Sequence, residues 1–313
     1  MKQILSTIAR KWFSACKLFF KIMVPVSVII KILQELDLIR YIGEALSFLM
    51  YPLNLPGEMG LVWASAMLSN IYGGVLTFVS LPLDPPLNVA QITTLASLVL
   101  FAHTFLIEIP ICVKAGCRFL PIFLIRFAGA YIFAFIVAQS CFAGSWCQTP
   151  TDAFTLPVAP DEGLWTWIAG ELKKYAVISL VVLALVVLLE IMDRLGITRM
   201  LERIMSPLVK LIGISPKVMP ITLIGMTLGL AYGGGLIVAQ SREKPLEGRD
   251  IFLSLAFLSL FHSIIEDHLL MIALGAHWFW IFILRLVFTL GLMILIKHLS
   301  YRIPSKYLFK EPQ

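Results

Sequence analysis

Two short stretches place ligand-type side chains inside otherwise apolar sequence. FAHTFLIE at 101 to 108 carries His103, Thr104 and Glu108, and LFHSIIED at 260 to 267 carries His262, Ser263, Glu266 and Asp267. Imidazole and carboxylate groups move protons, hold cations or hydrogen-bond polar solutes. Within an apolar segment they are costly to bury and functional by default, with a hydrogen bond to a neighbouring helix as the plainer use of each histidine. On a continuous helix at 100° per residue, His103 and Glu108 point about 140° apart and share no ligand. Glu266 lies one turn from His262 and shares its face, but Ile107 stands at that place in the first stretch, so no symmetric metal centre is expected. The better set for a divalent ion would be His262, Glu266 and His268, and the reading assigns no metal. Arg126 follows Glu108 by the same interval as Arg285 follows Asp267, and each pair is centred on the turn of a helical hairpin. Equal depth then lets each acid pair with its arginine, offsetting part of the cost of burying either charge. An acid that releases its partner can carry a proton or sodium ion.

These residues recur because the chain repeats itself. YGGVLTFVS at 72 to 80 is echoed by YGGGLIVAQ at 232 to 240, and in nearly the same register His103 falls on His262, Glu108 on Asp267, Gly116 on Gly275 and Arg126 on Arg285. YPLNLPGEMG corresponds more loosely to SPLVKLIGISPKVMP. Each copy reads as a spanning helix, an amphipathic helix, an apolar segment broken at Tyr-Gly-Gly, and two spanning helices joined by a tight turn. In the first copy these cover 18 to 36, 38 to 52, 58 to 80, 89 to 112 and 119 to 141; in the second, 174 to 191, 195 to 212, 216 to 240, 250 to 275 and 278 to 297. The expected fold is an all-α polytopic membrane protein of two inverted-topology repeats, each with three spanning helices, an amphipathic helix and a broken re-entrant segment. Residues 1–141 form the first repeat with an amphipathic lead-in, 142–172 a periplasmic linker, and 173–313 the second repeat with a basic tail.

Composition requires a membrane. Of 313 residues 59% are hydrophobic and 14% charged, against about 45–50% apolar in soluble domains, and several runs approach the roughly 20 apolar residues that span a bilayer. The net charge of +6 sits in clusters between apolar runs, where it orients helices rather than binding nucleic acid. Lys2, Arg10, Lys11, Lys17 and Lys21 put the N-terminus inside, and the lead-in lacks a small-residue cleavage site. No Lys or Arg occurs between 41 and 113, whereas the matching part of the second copy has Arg199, Arg203, Lys210, Lys217, Arg242, Lys244 and Arg249. Three crossings per copy invert the second and leave both termini, the 113 to 118 turn and the 192 to 217 and 241 to 249 segments cytoplasmic, with Lys173 and Lys174 as mild exceptions. The linker, with Pro150, Pro157, Pro160, Asp152, Asp161 and Glu162, then lies outside, where Cys141 and Cys147 have an oxidising compartment available for a disulfide.

Glycine pairs cost a helix about 1 kcal/mol per residue, and non-helical backbone at membrane depth survives only inside protein or beside water. Broken segments at matching places of two inverted halves point to a transporter's midplane site. Asn70, Tyr72, Gly73 and Gly74 are therefore expected to face Tyr232, Gly233, Gly234 and Gly235, with close helix packing as the competing use of the glycines. With the two Tyr-Gly-Gly segments, the HT and HS helices and the matched arginines in view, the chain resembles the bacterial nucleoside recognition or gate domain family. That family includes spore maturation proteins A and B and gate segments of concentrative nucleoside and ferrous iron transporters. The resemblance covers roughly 20 to 140 and 175 to 300, one gate unit each. It implies a membrane permease but fixes no nucleoside as substrate, since the transport-core regions of nucleoside transporters are missing, as is any P-loop such as GxxxxGK[ST].

The sequence thus predicts a transporter or permease of the bacterial inner membrane for a small polar solute or ion. Substrate would meet Asn70, Tyr72, Gly73, Gly74, His103 and Thr104 from one half and Tyr232, Gly233, Gly234, Gly235, His262, Ser263 and Glu266 from the other, with Glu108, Arg126, Asp267 and Arg285 as ion pairs or proton couplers. Its partners are that solute and the bilayer, with no cofactor and with homo-oligomerisation left open. A membrane scaffold is the alternative. An intramembrane metalloenzyme on His262 and Glu266 ranks last, because no nucleophile and base recur in a recognisable motif.

Overall fold

A computed structural model describes residues 2–36, 38–81, 83, 85–151, 163–243 and 246–310; Lys244 and the linker residues 152–162 lie outside them. The described residues are helical, without a strand. Lys2–Glu35 is one helix, α1, in place of a lead-in followed by a span. Leu38–Met50 (α2) and Ile197–Leu211 (α9) are the two amphipathic helices. Among the described residues four stretches are long and apolar enough to cross a bilayer: Val89–Lys114, Phe119–Ala143 (α7), Leu164–Arg194 (α8) and Phe279–Arg302. Over the most apolar 18 residues of each, 67% of the first stretch and only 17% of α8 are buried within the protein, so the first is central and α8 faces outward. α8 instead runs antiparallel along α1, through Lys11 to Glu190 at 2.8 Å and Ser27 to Glu171 at 2.7 Å. Lys174 is buried, donating to Glu171 at 2.7 Å and to Ser80 at 3.3 Å.

The breaks fall elsewhere than glycine content predicts. The first apolar segment is a hairpin of Met59–Leu68 (α3) and Ile71–Ser80 (α4), and the second a hairpin of Met219–Leu228 (α10) and Leu230–Glu243 (α11). The turns are at Ser69–Asn70 and Gly229, and each Tyr-Gly-Gly lies in the first turn of the returning helix. Asn70 fixes this by capping α4, its side chain accepting from Gly73 N at 2.9 Å, while Gly229 has φ +104, a backbone state that suits glycine. The glycines let the arms touch. A Cβ on Gly74 would stand 2.8 Å from Ala66 Cβ, and one on Gly233 2.6 Å from Gly225 Cα. Packing thus outweighs the helix penalty at these positions. Gly74→Ala should therefore cost about 1–3 kcal/mol by overpacking, and adding Ala66→Gly should restore most of it, as denaturant titration of the purified variants would read. Equal loss in the single and double variants would refute the contact.

The central stretch breaks as well, unannounced by glycine or proline. It is divided into Val89–Phe101 (α5) and Phe105–Lys114 (α6), and its counterpart into Gly248–Leu260 (α12) and Glu266–Ala273 (α13). Thr104 at φ 56 and Ser263 at φ 46 turn the chain in the left-handed region, a conformation that costs non-glycine residues of order 1–3 kcal/mol and clusters at functional sites. Each break is tied to a hairpin: Thr104 N donates to Ala66 O at 2.9 Å, and Ile264 N to Met226 O at 3.1 Å. After α13, a π-helical stretch, Phe279–Leu284, leads into Arg285–Arg302 (α14), and Ser305–Leu308 (α15) closes the described chain.

Candidate functional site

The two breaks meet, and their polar side chains converge at the centre of the protein. Breaking α5 and α12 frees carbonyls that a dry interior cannot leave unpaired, and arginine, a five-donor fork without an acceptor, answers them. Fully buried Arg126 donates from Nε to Phe101 O at 3.1 Å, from Nη2 to His103 O at 2.7 Å and from Nη1 to Glu108 Oε2 at 2.6 Å. Arg285 donates to Leu260 O from Nε at 3.2 Å and from Nη2 at 2.8 Å, and from Nη2 to Leu100 O at 2.8 Å, so it spans both breaks. Phe105 lies under Arg126, and Phe101 and Phe261 under Arg285, with ring centroids 4.8, 4.8 and 5.3 Å away. The carbonyl partners were invisible in the sequence, because nothing there placed a break at 102–104 or 261–265.

The expected Glu108–Arg126 pair forms; the expected Asp267–Arg285 pair does not. No carboxylate–guanidinium contact within 4.0 Å joins the latter. The second break is longer than the first, and the π-helical stretch before Arg285 widens the helical turn, so the hairpin register that would match the two residues is lost. Arg285 Nη1 lies instead 3.2 Å from His268 Nε2, and buried Asp267 turns to the other half.

There it meets the histidines. His103 Nε2 and His262 Nε2 are 3.3 Å apart; His103 Nε2 is 3.5 Å from Asp267 Oδ2, and His262 Nε2 is 3.5 Å from Glu108 Oε1. Each histidine thus faces the acid of the other half. His103 and Glu108 would point apart on a continuous helix, and the break between Phe101 and Phe105 lifts that constraint. Likewise His262 and Glu266 do not act together, since Glu266 Oε1 accepts from Tyr72 Oη at 2.5 Å. His103, His262 and Asp267 are the described residues whose donor types and proximity suit a metal ion, a set that spacing along the sequence does not single out.

The remaining expected residues divide. Thr104 and Ser263 shape the breaks and Tyr72 reaches the cluster, whereas Asn70 caps a helix and Gly73 and Gly74 lie buried within their hairpin. Tyr232 does not face Tyr72 as expected; it is 54% exposed. Gly233 packs on Gly225, Gly234 on Ile111, and Gly235 faces open space. In the second hairpin, glycine at the turn replaces the Asn70 cap, and Ile107 offers Tyr232 no acceptor of the kind Glu266 offers Tyr72. Outside the site, Cys141 and Cys147 are free thiols.

With this geometry the chain can be set beside known proteins. It is similar to a membrane protein. The match is to the uncharacterized membrane protein YvoD of Bacillus subtilis strain 168, 24% identical over 282 residues that make up 89% of each chain. No family model matches the chain, and no solved structure matches it. Sequence likeness and apolar helices agree on a helical membrane protein.

Proposed function

We propose that the chain is a transporter or permease of the bacterial inner membrane for a small polar solute or ion, built from two inverted gate-like repeats with both termini cytoplasmic. One observation carries this: side chains from two helix breaks, supplied by matching positions of the two sequence repeats, meet at 3.3 Å inside the protein. Discontinuous helices in corresponding halves, crossing a buried polar centre, are how secondary transporters hold substrate. Inversion is supported by the antiparallel run of α1 on α8 and by the helix arms. Ten-residue α3 and α4 reach about 15 Å each, half the roughly 30 Å hydrocarbon core, as a re-entrant hairpin does. Orientation has support in two contacts at opposite ends of α5–α6. Lys310 N donates to Gly116 O at 2.7 Å, joining the tail to the 113 to 118 turn, and Val89 N donates to Thr149 O at 3.1 Å, joining the start of α5 to the linker.

The gate-domain resemblance accords with such a permease. We assign the chain no enzymatic activity, because the centre consists of ligands and structural arginines rather than a nucleophile with its base.

The test is uptake into proteoliposomes of uridine, zinc ion and succinate, the three solute classes that imidazole, carboxylate and guanidinium groups can recognise. Wild type should raise uptake of one of these above empty vesicles, and His103→Ala should abolish it. In a cysteine-free background, a cysteine at Ser145 should label from outside intact cells, and one at Ser215 should not. Folded protein that moves none of the three would favour the scaffold, and labelling at 215 would overturn the inversion.

A further inference from the structure

We propose that His103, His262, Asp267 and Glu108 form a binding site for one divalent transition-metal ion; this rests on the transport reading in one respect, that the ion would then be the cargo.

His103 Nδ1 is 2.8 Å from Val99 O, and His262 Nδ1 is 2.6 Å from Leu258 O. A carbonyl only accepts, so both Nδ1 atoms carry the proton, and each neutral ring turns an Nε2 lone pair inward. Those lone pairs face each other at 3.3 Å, with a carboxylate oxygen 3.5 Å from each. Asp267 Oδ2 is buried without a hydrogen-bond partner. One ligand atom each from His103, His262 and Asp267 lies within 4.8 Å of the other two, and Glu108 Oε1 stands beside His262. At full ionisation Glu108, Glu266 and Asp267 outnumber Arg126 and Arg285 by one charge, so the centre favours a cation over an anion.

The spacing selects the kind of cation. Ligands bound tetrahedrally at about 2.1 Å stand about 3.4 Å apart, close to the 3.3 Å between the two imidazoles and the 3.5 Å from each imidazole to its nearest carboxylate oxygen. Two imidazoles with carboxylates suit zinc, iron or cobalt in the divalent state, whereas magnesium and calcium call for oxygen ligands. The surroundings fit as well. Metal-bound histidines commonly donate their other N–H to a main-chain carbonyl, and ligating carboxylates are themselves hydrogen-bonded, as Val99, Leu258 and Arg126 provide here.

Detergent-purified protein titrated with Co²⁺ should develop the visible absorption of a four-coordinate ion, and Zn²⁺ should displace it at one ion per chain. His103→Ala and His262→Ala should each weaken binding by about 100-fold or more. His298→Ala, at an exposed histidine away from the centre, should bind normally, and unchanged thermal unfolding of the two histidine variants should report that the breaks remain folded. X-ray absorption of the zinc form should count two imidazole ligands. Absence of binding by folded wild type, or binding that survives the double histidine variant, overturns the site. Metal that binds as described but never crosses the vesicle supports the site while removing the transport reading. Uptake of uridine or succinate by protein that binds no metal overturns the site and leaves that reading in place.

Discussion

Replacing Arg285 by methionine is expected to destabilise the protein by about 3–5 kcal/mol, with only a minor part recovered when Asp267→Asn is added. Its Nε and Nη2 serve Leu260 O and Leu100 O, and each carbonyl left unpaired in a dry interior costs about 1–3 kcal/mol. Arg285→Lys should rescue little, because one ammonium cannot reproduce a planar fork that holds two breaks at once. Arg126→Met should lose a similar amount, since Phe101 O and His103 O lose their donor and Glu108 loses its counter-charge. The two arginines should differ in coupling. Neutralising Glu108 as well should return only the ion-pair share of the Arg126 loss, and the Asp267–Arg285 cycle, which has no direct contact, should give a smaller coupling energy. Denaturant titration of the four single and two double variants measures both cycles. Full recovery in Glu108→Gln/Arg126→Met would mean that Arg126 serves the acid alone and not the freed carbonyls.

Much of this centre was legible before any geometry, and what was not has one cause. Matching His103 with His262 and Arg126 with Arg285 needed only the repeat, and the Glu108–Arg126 pair followed from a hairpin turning near residue 117. The helix breaks beside His103 and His262 had no local signal, as Thr104 and Ser263 take left-handed backbone that propensity assigns to glycine or asparagine. Face arithmetic on a continuous helix therefore separates His103 from Glu108, and no spacing in the sequence matches His103 with Asp267 of the other half. The glycines erred in the opposite direction. Gly73 and Gly74 read as a break because their backbone cost is intrinsic, but Ala66 against Gly74 shows that tertiary contact repays it within a helix. Contacts between distant segments, such as Leu100 O with Arg285, are set by the fold and leave no spacing to read.

Tyr72→Phe is expected to loosen the first hairpin by about 10- to 100-fold in its opening equilibrium while leaving global stability little changed. Tyr72, near the start of α4, donates to Glu266 Oε1, in the first turn of α13, at 2.5 Å. Hydrogen bonds to charged groups contribute about 1.5–3 kcal/mol, and each 1.4 kcal/mol is about tenfold in an equilibrium. The bond links the hairpin to the far half of the molecule, so its loss should appear as local opening of Ile71–Ser80 rather than as unfolding. Amide hydrogen exchange reads this residue by residue. Protection should fall in α4 and persist in α7, which the bond does not touch. Glu266→Gln keeps an acceptor at that position and should lose less than Tyr72→Phe, because only the charge assistance is removed. The second hairpin supplies a control within the same chain. Tyr232 is exposed and Ile107 stands where an acceptor would be, so Tyr232→Phe should leave α11 unchanged. Equal loss of protection in both hairpins, or unchanged exchange in α4, would show that Tyr72 does not hold the first hairpin to the opposite half.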